Sequence, residues 1–248
     1  MADVTLTYKG QNILELSASG NKTIKTAGKY CEADIGLSYE RQSQMPEPPL
    51  PVTYQRVEYL EFVPNIGIIV DIPTSGCFTY SVDAVAELPV SSNVDSVAFG
   101  YKGSSNRSTD FELGFTQSLT SVYRYIRSSY NGWNFGNAIG ESYTPGTRVT
   151  KSIILQNPYS EALIGRYLND PGSSSTTQND SFQGKIFSVK GIDVYTGEVV
   201  AWFVPCYRKS DNMIGVYDHI SQTFYSDKVV PTSSSFDVGS ITAGPDVT

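Results

Sequence analysis

Histidine is all but missing from this 248-residue sequence, which carries only His219. Any Ser-His-Asp or Cys-His constellation would have to be built on that residue, and one imidazole with scattered thiols does not complete a usual zinc site. It sits in Tyr217-Asp218-His219-Ile220, which reads as a turn between two closing strands, so a surface turn histidine is expected. Cysteine is scarce too. Cys31, Cys77 and Cys206 are odd in number and far apart, giving neither a disulfide framework nor a CxxC pair. Buried thiols are expected, with one disulfide left open.

Positive charge is the next shortage, with 18 Lys+Arg against 25 Asp+Glu and a formal net charge of −7. Neutralising phosphates takes a clustered basic surface, so no nucleic-acid partner is expected, and no polybasic face is offered to an anionic membrane. Long apolar runs are missing as well: the stretches 67–70, 153–155 and 199–204 fall far short of the roughly 18–20 residues that cross a bilayer. No membrane insertion is expected. The opening Met1-Ala2-Asp3-Val4-Thr5 has neither the basic nor the apolar region of a secretory signal. Folding in a cytoplasm follows as the expectation. Helical periodicity, a phosphate loop and a nucleotide fingerprint are likewise lacking, which disfavours the α/β enzyme classes.

What is abundant is strand and turn chemistry: 17 Tyr, 11 Phe, 21 Gly and 13 Pro, with only 17% charged residues. Residues 1–40 alternate in short runs, Val4-Thr5-Leu6-Thr7-Tyr8, Ile13-Leu14-Glu15-Leu16, Lys22-Thr23-Ile24-Lys25-Thr26 and Ile35-Gly36-Leu37-Ser38-Tyr39, and predict a four-strand β module. So small a unit buries little apolar surface and is expected to dock onto something else. Residues 41–53 hold four of the 13 prolines and read as a semi-rigid polyproline spacer. At about 3.1 Å per residue it would span roughly 30–40 Å.

From 54 to 238 the pattern is many short strands between turn clusters, with candidates at 67–72, 77–86, 95–101, 110–116, 122–126, 148–156, 161–167, 184–194, 199–206, 213–218 and 223–226. That predicts an all-β, two-sheet antiparallel sandwich, with a jelly roll as its form and 239–248 as a C-terminal tail. Val199 to Val204 is apolar at every position, as in a strand buried on both faces, and Pro205 is expected to end its ladder.

Carbohydrate binding is the function best matched by local residues. Tyr123, Tyr125, Tyr130 and Trp133 offer flat apolar faces for sugar rings, and Arg127 and Asn131 offer polar groups for hydroxyls, with Arg124 beside them. On a strand Tyr123, Tyr125 and Arg127 share one face, and Asn131-Gly132 would turn Trp133 towards them. The same aromatics could instead fill a core or an oligomer interface. Asp110-Phe111-Glu112 places two acids on one strand face, as a glycosidase would need, but the wider ExDxxE pattern of sandwich glycosidases is absent. No catalytic residue is assigned and no enzyme activity is expected. No cofactor is expected either. Asn169-Asp170 and Asn179-Asp180 flank a Ser-rich loop that could offer calcium oxygen ligands, and ordinary turn chemistry explains the same residues.

Two segments resemble a known family. Tyr54-Gln55-Arg56-Val57-Glu58-Tyr59-Leu60-Glu61 is similar to the opening "YQxVEYLES" of concanavalin-like, laminin-G-like domains in phage and prophage proteins of gut Firmicutes. The closing match comprises Gly184-Lys185-Ile186-Phe187-Ser188, Phe203-Val204-Pro205-Cys206-Tyr207-Arg208-Lys209-Ser210-Asp211, Ile214-Gly215-Val216-Tyr217-Asp218 and Thr223-Phe224-Tyr225. Between them the chain departs: Phe62-Val63-Pro64-Asn65-Ile66-Gly67 stands where the family continues "SSGTQY". Residues 1–40 are similar to small β modules at the start of tailed-phage virion proteins. The resemblance implies a virion surface protein, a head decoration or fibre or a tail-associated component. Residues 1–40 would hold it to other capsid or tail proteins, and the sandwich would meet host-surface or mucus glycans. A homo-oligomer is expected. The open alternatives are a capsid-stabilising protein with no ligand, a secreted bacterial lectin and a glycan depolymerase.

Overall fold

The computed structural model describes residues 4–8, 11–16, 22–24, 46–63, 66–87, 95–101, 111–116, 121–126, 142–158, 160–165, 182–226, 228–229 and 240–248. Period-two alternation sets the first unit. β1 (Val4–Tyr8), β2 (Gln11–Leu16) and β3 (Lys22–Ile24) form an antiparallel sheet in the order β1-β2-β3. Tyr8 pairs with Gln11, so β2 starts two residues before the alternation suggests. The expected fourth strand, 35–39, lies outside the described residues.

The remaining strands build two antiparallel sheets. The smaller has the order β10-β9-β8-β12-β6-β17, from β6 (Gly67–Asp71), β8 (Asp95–Tyr101), β9 (Phe111–Thr116), β10 (Ser121–Ile126), β12 (Glu161–Ile164) and β17 (Lys228–Val229). The larger has the order β11-β7-β13-β14-β15-β16, from β7 (Cys77–Ala86), β11 (Arg148–Gln156), β13 (Gly184–Asp193), β14 (Val199–Arg208), β15 (Met213–Asp218) and β16 (Thr223–Tyr225). Three short strands complete it. β4 (Tyr54–Arg56) pairs with β14, β5 (Leu60–Phe62) with β13, and β18 (Ile241–Ala243) with β5. No helix occurs among the described residues, and none there is long and apolar enough to cross a membrane.

The sheets face each other across an aromatic core in which Tyr80, Phe62, Phe99, Phe111, Phe115 and Phe203 are fully buried. Each of the phenylalanines contributes about 1.5–3 kcal/mol by leaving water. The rings meet at angles that suit their quadrupoles, as where Tyr80 tilts 34° against Phe99 at 5.2 Å. Beneath β5 and β14, the void edged by Leu60, Phe62, Ile186, Phe203 and Val216 is too tight for a water molecule.

Two features differ from the sequence expectation. Pro205 does not end its ladder: β14 runs on to Arg208, and Pro205 pairs with Val216 of β15. On its other side β14 loses β13 after Phe203 and gains β4 at Cys206. A strand residue turns its N–H and C=O to the same side, and the Pro205 carbonyl accepts from Val57 N at 3.2 Å, so the missing N–H falls in the gap where one neighbour gives way to the other. The second feature is the C-terminus. Within the residues read as a tail, β18 pairs with β5, Val57 bridges Asp246, and Val247 N donates to Arg56 O at 2.9 Å.

Candidate functional site

The divergence of β13 and β14 creates a wedge, and residues 54–62 fill it through β4 and β5. Arg56 stands at its centre. One Nη donates to the carbonyl of Pro205 on β14 at 3.0 Å and to that of Val57, and the other reaches the Phe187 carbonyl on β13 at 3.4 Å. One planar cation, whose fork of donors suits several acceptors, thus ties together carbonyls on both sides of the wedge.

Around Arg56 the outer face of the large sheet is aromatic. Trp202, Val204, Cys206 and Tyr217 form a buried cluster, joined by the half-buried Leu50, Tyr54 and Phe224. Tyr54 lies 5.1 Å from both Tyr217 and Phe224, and Lys190 Nζ stands 3.9 Å above the Trp202 ring. Burial pulls the Lys190 ammonium below its usual range. Burial also pushes the Cys206 thiol up to about 12, against the pull of Arg56, so it is no nucleophile near neutral pH. Cys77 and Cys206 are both buried thiols in no disulfide, while Cys31 lies outside the described residues.

His219 belongs to this cluster and is not a surface residue. Its side chain is only 4% exposed, wedged between Trp202 at 5.6 Å and Tyr217 at 5.7 Å. The turn is exposed as expected, but the large flat neighbours bury the ring. Its Nε2 makes no hydrogen bond and lies 3.8 Å from Glu47 Oε1. Glu47 is gripped by Arg56 instead, at 2.7 Å from Nε and 3.3 Å from Nη2. Burial opposes the charge on Glu47, yet the contacts from His219 and Arg56 outweigh it and hold the carboxyl below its usual range. A depressed carboxyl adds stability above its unfolded value and loses it as pH falls through the folded value. Urea midpoints measured from pH 7 down to pH 3 should therefore fall less steeply for Glu47→Gln than for the parent chain; identical acid limbs would refute the Glu47 contribution. The effect should be modest, because the Glu47 side chain is a third exposed to screening solvent.

Asp218, beside it, is 3% exposed. Its Oδ1 accepts from Trp202 N at 2.7 Å and Ile220 N at 3.1 Å, and Oδ2 from Ser221 N at 3.1 Å. The carboxylate closes the β15–β16 turn and replaces a ladder acceptor for β14. That is a structural assignment, with both carboxylate oxygens taken by backbone N–H groups.

Of the residues expected to bind glycan, Tyr123 and Tyr125 fall on β10, at the edge of the small sheet. In β10, Tyr123 pairs with Gly114 and Tyr125 with Glu112, while Val122, Arg124 and Ile126 pair with Phe115, Leu113 and Phe111. Those three β9 residues are core, so positions 123 and 125 lie on the opposite face and Arg124 takes a core-side register position. Arg127, Tyr130, Asn131 and Trp133 lie outside the described residues, as do Asp110 and the Asn169-Asp170 and Asn179-Asp180 pairs. Among the described residues no group of three or more His, Cys, Asp and Glu could hold a metal ion. Sequence reading missed Glu47, Arg56 and Trp202 as one constellation. Arg56 carried a signal, since it sits inside the Tyr54–Glu61 motif, whereas the contact to Glu47 depends on how residues 46–53 return to the sheet. No family model matches the chain, and no curated protein is significantly similar to it.

Proposed function

We propose that this chain is a non-enzymatic phage virion surface protein in which residues 1–40 attach to capsid or tail proteins and a jelly-roll head of the concanavalin/laminin-G type binds host-surface or mucus glycans. The observation that carries the reading is the meeting of the motif segments. Residues 54–61, 184–188 and 203–208, read as one family pattern, converge on the β13–β14 wedge, where Arg56 joins all three. The winding agrees: the chain passes between the two sheets from β6 to β7, β7 to β8, β10 to β11, β11 to β12 and β12 to β13, as concentric sandwiches do.

For the ligand, support comes from the register of β10: positions 123 and 125 pair with Gly114 and Glu112 and alternate with the positions opposite the core residues Phe111, Leu113 and Phe115, which favours a sheet-face placement. Many weak sites on one particle would give retention through avidity. A glycan array probed with the full chain on a multivalent carrier, with and without calcium, tests this. Selective binding that is lost in Trp133→Ala or Tyr125→Ala is the expected result; no binding in any condition would leave a ligand-free capsid-stabilising role in its place.

A further inference from the structure

Residues 46–53 look from sequence like a spacer that keeps two modules apart, but they lie along the outer face of the large sheet. Prolines 46, 48, 49 and 51 lack backbone donors, so this segment cannot extend the sheet and must be held by other means. Three holds are present. Pro51 O accepts from Tyr54 N and Thr53 O from Lys209 N, both at 2.9 Å, which fixes the junction with β4. Leu50 packs on the aromatic cluster of Tyr54, Trp202, Tyr217 and Phe224. Glu47 makes its two-pronged contact with an Arg56 already positioned by the wedge carbonyls, beside the buried His219.

We infer that residues 46–53 form a clamped strap, with Leu50 as its anchor and Glu47 as its latch, that fixes the point and direction in which the preceding chain leaves the sandwich. The arrangement is that of polyproline recognition by an aromatic groove, with the ligand supplied by the same chain. Proline-rich backbone has little freedom to lose on docking, so few contacts suffice to hold it. Only six residues separate Glu47 from β4, so while β4 stays paired the tether keeps Glu47 within about 25 Å of it. Outward it presents Val52, 88% exposed, and no further sheet contact. A head so mounted keeps one stance relative to its point of exit instead of swinging on a 13-residue tether. This holds whether or not the head binds glycan.

The test is a spin-label distance measurement on the full chain, with Cys31→Ser and labels at Pro46→Cys and Thr144→Cys, Cys77 and Cys206 being buried. The parent should give one narrow distance distribution, and Glu47→Gln with Leu50→Ser should lose that narrow peak while circular dichroism stays unchanged. Should the double variant unfold, Glu47→Gln alone is read in the same way, with partial broadening expected. A broad distribution in the parent, or a peak as narrow in the folded variants as in the parent, would overturn the strap.

Discussion

Asp218→Ala is expected to cost about 3 kcal/mol or more of folding stability, because it removes the acceptor for three backbone N–H groups in one step. The Trp202 amide carries most of this. It lies in a fully buried bond and alanine offers it no acceptor, whereas the Ile220 and Ser221 amides are part-buried and can be rehydrated more cheaply. Asp218→Asn should cost less, since one oxygen can still serve Trp202 and only the Ser221 amide faces a donor. Urea denaturation of the two variants decides it: the order wild type, Asn, Ala in falling midpoint is expected, and equal midpoints for Ala and wild type would show that these bonds add nothing. Against a typical total of 5–15 kcal/mol, the alanine variant sits near the limit of folding.

Gly184→Ala should be as damaging by a different route. At the start of β13, Gly184 pairs with Phe62 on one side and Ala86 on the other, with φ at +138°. An added Cβ would lie 2.1 Å from the Val85 carbonyl oxygen and 2.9 Å from the Glu87 nitrogen, backbone atoms of β7 and of the residue just after it. Neither can rotate away as a side chain would, so β13 must shift against β7 or lose its first pairs. A loss of at least about 3 kcal/mol is expected from overpacking together with backbone strain. Gly146→Ala is the control, because its φ is +79° but nothing lies within 4 Å of the added carbon. Strain alone should cost it about 1–2 kcal/mol. Thermal unfolding that ranks Gly146→Ala as the more damaging of the two would contradict this reading of the β13 junction.

Gly184 also marks how far the sequence could be read. It belongs to a recognisable segment, yet its reason for being glycine is a close approach by β7, a contact made across nearly a hundred residues. The long strands were legible because alternation and flanking turns are local signals: β7, β8, β11 and β15 begin and end where the sequence reading put them. β4, β5 and β18 were not read as strands. Each has three residues, too few to show a period, and each exists only because a partner strand is in place. Pro205 misled for a related reason, since a proline ends a ladder only where its N–H is needed, and the β13–β14 gap does not need it. Of the glycan residues, the shared face of Tyr123 and Tyr125 follows from strand geometry alone. The aromatic face under the strap was hidden because Trp202, Tyr217 and Tyr54 come from three separate segments. His219 was read by its turn, and its burial is decided by rings brought from elsewhere.

The most direct measurement is retention on a mucin-coated surface of the full chain, compared as free protein and as many copies on one carrier particle. Multivalent adhesion predicts fast loss of the free chain and prolonged retention of the particle, with retention abolished in Trp133→Ala. A particle that washes off as quickly as the free chain, on mucin and on host-cell envelope alike, would contradict an adhesive head.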